Sequence, residues 1–190
     1  MTDTAKAGRR IESVASAEFD SLFTAFEHTA YRLETLQVYD VGDEDESYAA
    51  FLAGHPLPTD RAKNEWTALL TAAADAGKVF QRVHVVTEPL TDYVRYEIEW
   101  GYAPNVAAGD DVRVLVGTPG QLGLPDHDYW LFDSRHLWVM RYDGGGRFVA
   151  AEQVGDPAVI VEHNYWRDKA LSLAMPYTDY VSRAAALRRS

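Results

Sequence analysis

The chain has 190 residues, no cysteine and a formal net charge of −11. The lack of cysteine excludes disulfides, thiolate zinc sites and cysteine nucleophiles, and the acidic balance opposes non-specific binding of DNA or RNA. The N-terminus lacks the apolar core of a signal peptide, and no stretch reaches the roughly 20 apolar residues of a membrane helix. We therefore expect a cytoplasmic protein with no membrane contact and no nucleic-acid partner.

An apolar stripe predicts the first helix. Ser16 is a suitable N-cap, and the residues that follow at spacings of three and four are Phe19, Leu22, Phe23, Phe26, Ala30 and Leu33. Residues 1–15 are small, polar and aperiodic, so we expect a flexible segment there. Residues 36–40 are compatible with a short strand. The acidic run at 40–46 lacks the alternating ligands of a calcium loop, and solvated acid at a helix start is the favoured interpretation.

A second helix is predicted over residues 59–76, followed by a strand over Val79–Val86 that is rich in β-branched residues. Alternation along this strand places Arg82 and His84 on the same face. Charged side chains on a strand either face solvent or find partners. The two residues are therefore candidates for a shared polar site.

Residues 94–100 carry two competing patterns. Leu90, Val94 and Ile98 form a helical stripe, whereas Val94, Tyr96, Ile98 and Trp100 alternate as in a strand. Thr87 and Pro89 suit the start of a helix, so a helix is the preferred prediction.

The rest of the chain predicts a sheet and then helices. Strands are expected at 112–116, 126–133, 136–142 and 147–154, and helices at about 156–174 and from 177 onward. The predicted class is α+β, with N-terminal helices, a mainly antiparallel sheet of about five strands, and C-terminal helices packed on it. Residues 16–187 are expected to form a single domain, followed by a basic tail at 188–190.

Four blocks of the chain together resemble a known family. They are FDSLFTAFEHTAYRLE (Phe19–Glu34), RVHVVTEPLTDYVRYE (Arg82–Glu97), NVAAGDDVRVL (Asn105–Leu115) and LPDHDYWLFD (Leu124–Asp133). The family they resemble is the actinobacterial domain of unknown function 6879, over most of the chain after Ala15. The resemblance implies no activity and supplies no catalytic residue. It implies genomic neighbours that are helix-turn-helix regulators, and hence a regulatory or accessory role.

Aromatic and charged residues are densest in two segments, Val79–Trp100 and Leu124–Asp133, which we predict to fold side by side. The candidate ligand- or partner-binding residues are Arg82, His84, Tyr93, Arg95, Glu97, Asp126, Asp128 and Trp130. A buried network of charges and an ordinary aromatic core are alternative interpretations of the same residues. The sequence does not separate them.

The preferred function is a non-enzymatic accessory protein that binds a partner protein or a small molecule through this aromatic and charged face. No catalytic residue, metal or cofactor is predicted. No zinc-protease or serine-hydrolase motif is found, and DNA binding would require Arg9, Arg10, Arg188 and Arg189 to gather in one patch.

The alternative function is a metal-assisted hydrolase or phosphoryl-handling enzyme. Asp126 and Asp128, about 7 Å apart on one strand face, would hold Mg²⁺ or divide acid and base roles. Arg82 or Arg95 would then clamp a phosphate. Aspartates that organise a loop by accepting backbone hydrogen bonds explain the same pattern without chemistry.

Overall fold

The computed structural model describes residues 8–40, 45–58 and 64–187. Its strands are β1 (Arg10–Ile11), β2 (Thr29–Glu34), β3 (Val79–Val86), β4 (Asp110–Val116), β5 (Tyr129–Phe132), β6 (His136–Tyr142), β7 (Phe148–Val154) and β8 (Met175–Pro176). They form one sheet in the order β1-β7-β6-β5-β2-β3-β4-β8. The β2–β3 and β3–β4 pairs are parallel, and the other neighbouring pairs are antiparallel.

Helices cover both faces of this sheet. They are α1 (Ala17–Ala25), α2 (Asp45–Leu52), α3 (Glu65–Asp75), α4 (Asp92–Tyr96), α5 (Tyr102–Ala107), α6 (Pro119–Leu122), α7 (Pro157–Leu173) and α8 (Tyr177–Leu187). On one face, Phe23 of α1 and Leu70 of α3 pack in a cluster with Phe80 and Trp130. On the other face, α7 covers the strands through a separate cluster that contains Ala170.

The alternation predicted for β3 is confirmed and extends to β2. Val83 and Val85 face α7 together with Leu33, whereas Phe80 belongs to the cluster beneath α1 and α3. The parallel register places Arg32 opposite Arg82. The central strands therefore present an apolar face to α7 and a mixed face to α1 and α3.

The stripe that predicted one helix through Leu33 belongs to two elements. α1 ends at Ala25, and the following residues form β2 between β3 and β5. The Asp133 carboxylate fixes the crossover, because it accepts hydrogen bonds from the backbone N–H groups of Glu27, His28 and Thr29 at 2.7–3.0 Å. A central strand gains hydrogen-bond ladders on both sides, so tertiary pairing overrides the helical pattern. Residues 36–40 form only an isolated bridge, from Asp40 to Arg147.

The preferred helix over residues 94–100 is confirmed. α4 continues through a π-helical turn, Glu97–Gly101, into α5. Both sequence patterns arise because this helical segment is buried on two sides. Val94 and Ile98 pack against the cluster on β3 and β4, whereas Tyr96 and Trp100 pack against α2.

The predicted α+β class is correct, but the predicted sheet of about five strands is only roughly right. The sequence misses β2 and the two-residue edge strands β1 and β8, which are too short to show a period. One of the two parallel pairs, β2–β3, is missed because the sequence assigns β2 to a helix. The other, β3–β4, joins two strands that the sequence does predict. β1 also corrects the expectation of flexibility for residues 10 and 11, because Ile11 is 3% exposed and pairs with β7.

Four predicted features lie wholly or partly outside the described residues. They are the flexible segment at 1–15, of which residues 1–7 are not described, the acidic run at 40–46, of which residues 41–44 are not described, the start of the second helix at 59–63, and the basic tail at 188–190. The described part of the second helix is α3, which Asn64 caps by accepting a hydrogen bond from the N–H of Thr67.

Candidate functional site

Five charged side chains lie in a row across the four central strands. Arg32 and Glu34 are on β2, Arg82 is on β3, Asp110 begins β4, and Asp128 immediately precedes β5. Contacts link them in the order Asp128, Arg32, Glu34, Arg82 and Asp110, so the signs alternate. All but Arg82 are buried, and the Arg82 side chain is 12% exposed. We call this set the charged row.

Asp128 is fully enclosed at one end of the row. Its Oδ2 accepts hydrogen bonds from Arg32 Nη2 at 2.8 Å and from the Tyr39 hydroxyl at 2.7 Å. Its Oδ1 accepts from the backbone N–H of Thr35 at 2.8 Å and from the Thr35 hydroxyl at 2.9 Å. Four donors thus hold both carboxylate oxygens, which compensates for the burial of the charge.

Glu34 joins the two arginines at the centre of the row. Its Oε1 accepts a hydrogen bond from Arg82 Nη1 at 2.7 Å and lies 3.5 Å from Arg32 Nε. Burial raises the pKa of Glu34, but the charges of Arg82 and Arg32 outweigh burial and lower that pKa to about 2. At the far end of the row, burial raises the pKa of Asp110 in spite of the Arg82 charge 3.6 Å away.

His84 is held at both ring nitrogens. Nε2 is 2.9 Å from the carbonyl oxygen of Leu36, and Nδ1 is 2.6 Å from the Tyr102 hydroxyl. Because a carbonyl only accepts, Nε2 carries a proton. The Tyr102 hydroxyl also donates to Glu34 Oε2 at 3.3 Å, which connects His84 to the charged row. His84 is therefore a structural member of this network.

A cavity of about 590 Å³ opens onto the charged row, and we call it the central cavity. Arg32, Glu34 and Arg82 line its inner end, and the exposed side chains of Asp20 and Glu65 line its rim. Its aromatic lining consists of Phe19, Phe23, Tyr39, Trp66, Tyr93, Trp130 and Tyr142. The arrangement is thus apolar along the walls and charged at both ends.

Within the described part of the chain, two nitrogen atoms at the inner end have no hydrogen-bond partner. They are Arg32 Nη1 and Arg82 Nε, both shielded from water. An unsatisfied buried donor costs about 1–3 kcal/mol. Arg82 Nε keeps only the longer electrostatic contact with Asp110, and the Arg32 guanidinium carbon lies 5.5 Å from the centre of the Trp130 ring. Both arginine side chains line the cavity, so an acceptor bound at this end would relieve that cost once the side chains shift to expose the two nitrogens.

Most of the candidate residues predicted from the sequence lie at the central cavity or directly behind its lining. Four line the central cavity, namely Arg82, Tyr93, Glu97 and Trp130. Asp128 and His84 lie behind them. Asp128 contacts the lining residues Arg32 and Tyr39, and His84 is connected to the lining residue Glu34 through Tyr102.

Two candidates lie elsewhere, which corrects the predicted cluster. Arg95 is exposed on α4, where it pairs with Asp92 at 3.1 Å and faces α8 across a different groove. Asp126 precedes the strand rather than belonging to it, and its side chain is 99% exposed. Neither contributes to the charged row.

Asp126 and Asp128 therefore do not form the paired carboxylate site on one strand face that a metal-assisted enzyme would need. One carboxylate points into solvent, and the other has both oxygens occupied by protein donors. Within residues 8–40, 45–58 and 64–187, no group of three or more histidine and acidic side chains is arranged to hold a metal ion.

Sequence reasoning missed half of the site. The missed residues are Arg32, Glu34, Tyr39, Tyr102, Asp110 and Tyr142. Arg32 and Glu34 were hidden by the helical pattern that runs through β2. The signal that reveals them is the alternation of Ala30, Arg32 and Glu34 with Tyr31 and Leu33, which places both charges on the face of Arg82.

The chain was compared with curated proteins and with solved structures. No curated protein matches it. A solved structure with a similar outline is a phospholipase D family member, Nuc from Salmonella typhimurium, with a TM-score of 0.48 and 10% sequence identity. The alignment covers 89% of this chain and 96% of that one. Likeness at this level carries no functional inference. In the described part of the chain, no helix has the length and apolarity needed to span a bilayer.

The family comparison agrees with the resemblance seen in the sequence. A family model described as a domain of unknown function, DUF6879, matches residues 17–182 and so includes the whole charged row. The chain belongs to the DUF6879 family.

Proposed function

We propose that this protein is a non-enzymatic accessory or regulatory protein of the cytoplasm that binds a small molecule in the central cavity. The observation that carries the proposal is the combination of aromatic walls with two arginines at the inner end, each with one buried nitrogen that has no hydrogen-bond partner among the described residues. Small-molecule sites are typically concave and apolar, with a few polar groups that fix the orientation of the ligand.

The shape of the site favours a small ligand over direct docking of a partner protein. Small-molecule pockets typically have volumes of about 300–1,000 Å³, and the distinctive residues here converge inside one cavity of about 590 Å³. In this proposal, a partner such as a helix-turn-helix regulator responds to the protein with its cavity filled.

The surroundings of Asp128 and His84, the two residues best suited to acid–base catalysis, also favour binding over catalysis. Both oxygens of Asp128 and both ring nitrogens of His84 already have protein partners. A general base must be within hydrogen-bond reach of a substrate proton. These two groups instead act as rigid supports for Arg32 and Tyr102.

The neutral fluorescent dye N-phenyl-1-naphthylamine tests the proposal, because its emission rises when it enters a dry apolar cavity. We expect saturable binding of one dye per chain. Thr24→Trp places an indole at the cavity lining on an exposed helix position, so it should abolish dye binding without unfolding the protein.

Ser172→Trp is the matched control, because it adds the same side chain to an exposed position of α7 on the other face of the sheet. This variant should bind the dye like the unmodified protein. Absence of saturable binding, or equal binding by both variants, would contradict the proposed cavity site.

A further inference from the structure

We infer that the ligand of the central cavity is a small aromatic molecule with a neutral hydrogen-bond acceptor at its inner end and a cationic group at its outer end. This inference rests on the proposed function and specifies the chemistry of the ligand. Three features of the cavity lead to it: the donors at the inner end, the carboxylates at the rim and the rings between them.

The inner end offers donors but disfavours an anion. Arg32 Nη1 and Arg82 Nε have no hydrogen-bond partner in residues 8–40, 45–58 and 64–187, so an acceptor atom is the missing complement. Each guanidinium already contacts two carboxylates, with Glu34 shared between them. A second anion at this point would face those carboxylates in a poorly solvated place. A carbonyl, amide or ring-nitrogen acceptor fits, and a phosphate or carboxylate does not.

The outer end attracts positive charge. The side chains of Asp20 and Glu65 at the rim form no hydrogen bond or ion pair within the described part of the chain. Among the described lining residues, two arginines stand against four carboxylates, a net charge of −2; the carboxylates are those of Asp20, Glu34, Glu65 and Glu97. A cleft with a net negative lining focuses the field on an incoming cation.

The walls between the two ends suit a flat apolar body and a neighbouring cation. Trp66 and Trp130 both line the cavity, and their ring centres are 6.4 Å apart in an edge-on arrangement. Tyr93 and Tyr142 add further ring faces. Aromatic faces attract organic cations as well as other rings. The cation of the ligand is therefore favoured both by the rim carboxylates and by the rings.

A matched series of four compounds tests the inference by displacement of N-phenyl-1-naphthylamine. They are 4-(aminomethyl)benzamide, with both groups; 4-methylbenzylamine, with the cation alone; 4-methylbenzamide, with the acceptor alone; and the anion 4-methylbenzoate. We expect 4-(aminomethyl)benzamide to displace the dye at a concentration about fivefold lower than either compound with a single group. The anion should be the weakest competitor.

The double variant Asp20→Asn/Glu65→Gln removes the rim charges without touching the charged row. It should reduce the advantage of 4-(aminomethyl)benzamide over 4-methylbenzamide to less than about twofold. The control Glu162→Gln/Asp168→Asn makes the same charge change on α7 and should leave the advantage intact.

The inference is overturned if 4-methylbenzoate competes as well as 4-(aminomethyl)benzamide, or if the rim variant keeps the full advantage of 4-(aminomethyl)benzamide over 4-methylbenzamide. In either case, dye binding that Thr24→Trp abolishes would still support the proposed function. Loss of dye binding itself would remove both proposals, so the two failures are distinguishable.

Discussion

The two faces of the sheet use alternate residues of the same strands, yet they are built from different chemistry. Facing α7, the side chains of Tyr31, Leu33, Val83 and Leu131 are at most 1% exposed and form a continuous apolar cluster. On the opposite face, the neighbouring positions of those strands carry Arg32, Glu34, Arg82, His84 and Trp130 around the central cavity.

The difference between the two faces distinguishes residues that stabilise the fold from residues whose presence stability does not explain. Apolar burial on the α7 face stabilises the protein directly. Buried ion pairs lose much of their mutual attraction to desolvation, and apolar replacements of a whole pair are often neutral or stabilising. The charged row is therefore not explained by stability, whereas a binding site in the cavity accounts for it.

The largest expected effect is the loss of Arg32. Arg32→Met leaves Asp128 and Glu34 buried without their shared cation, and removal of one partner from a buried pair costs about 3–5 kcal/mol. Denaturant unfolding should show that loss in the free energy of unfolding. Arg95→Met, which breaks only exposed pairs, should cost less than about 1 kcal/mol. Similar losses in the two variants would erase the distinction between the charged row and the surface.

Truncating a buried side chain on the α7 face should lower the free energy of unfolding without affecting binding. Leu33→Ala removes a side chain that is 0% exposed, and we expect a loss of about 3 kcal/mol. The affinity of the folded protein for N-phenyl-1-naphthylamine should not change, because Leu33 faces away from the central cavity. Val149→Ala, at a position that is 42% exposed, is the control and should change stability little. A fall in dye affinity in Leu33→Ala would show that the two faces are coupled.

Acidification should lower the free energy of unfolding over a defined pH range, through the charged row. The pKa of Glu34 falls from 4.5 to about 2 in the folded protein, so its stabilising contribution is present above pH 4.5 and lost as the pH falls toward 2. That change corresponds to roughly 3 kcal/mol. The raised pKa of Asp110 acts in the opposite direction, since protonation of that carboxyl favours the folded state. The net loss from these two carboxyls should therefore be smaller than that of Glu34 alone.

Unfolding experiments between pH 2 and pH 5 measure this dependence. Glu34→Gln should be less stable at neutral pH but should show a flatter pH profile over that range. Glu162→Gln on α7 is the control and should keep the slope of the unmodified protein. An unchanged slope in Glu34→Gln would assign the acid sensitivity to other carboxylates.

The smallest effect is expected at Asp126. Its side chain is 99% exposed, and the ion pair it forms in the described part of the chain is with His127 at 3.7 Å, so Asp126→Asn should not change the unfolding midpoint or the dye affinity. Asp128→Asn weakens four hydrogen bonds in the charged row and should cost about 2 kcal/mol. If the two aspartates shared one role, the two variants would behave alike.

The features that the sequence predicts well are those that depend on local pattern. β3 and β6 are predicted with their observed bounds, because each is rich in β-branched or aromatic residues and ends at a clear turn signal. The face shared by Arg82 and His84 follows from that alternation alone. Position along a regular element is local information, and a single sequence contains it.

The missing half of the site depends on contacts between distant segments. In Phe19–Leu33 the helical spacing continues across α1 and into β2, and only pairing with β3 and β5 makes Thr29–Glu34 a strand. Asp126 and Asp128 look equivalent in sequence, but only Asp128 lies within reach of Arg32, Thr35 and Tyr39. No local pattern distinguishes them.

The most direct test of the cavity site uses the five tryptophan indole N–H signals of the ¹⁵N-labelled protein as reporters. Trp66 and Trp130 line the central cavity, whereas Trp166 is part of α7 and packs against the apolar cluster on the other face. On titration with N-phenyl-1-naphthylamine, the signals of Trp66 and Trp130 should shift in a saturable way while that of Trp166 stays in place. A saturable shift of Trp166 with Trp66 and Trp130 unmoved would contradict the assignment of the binding site to the charged face.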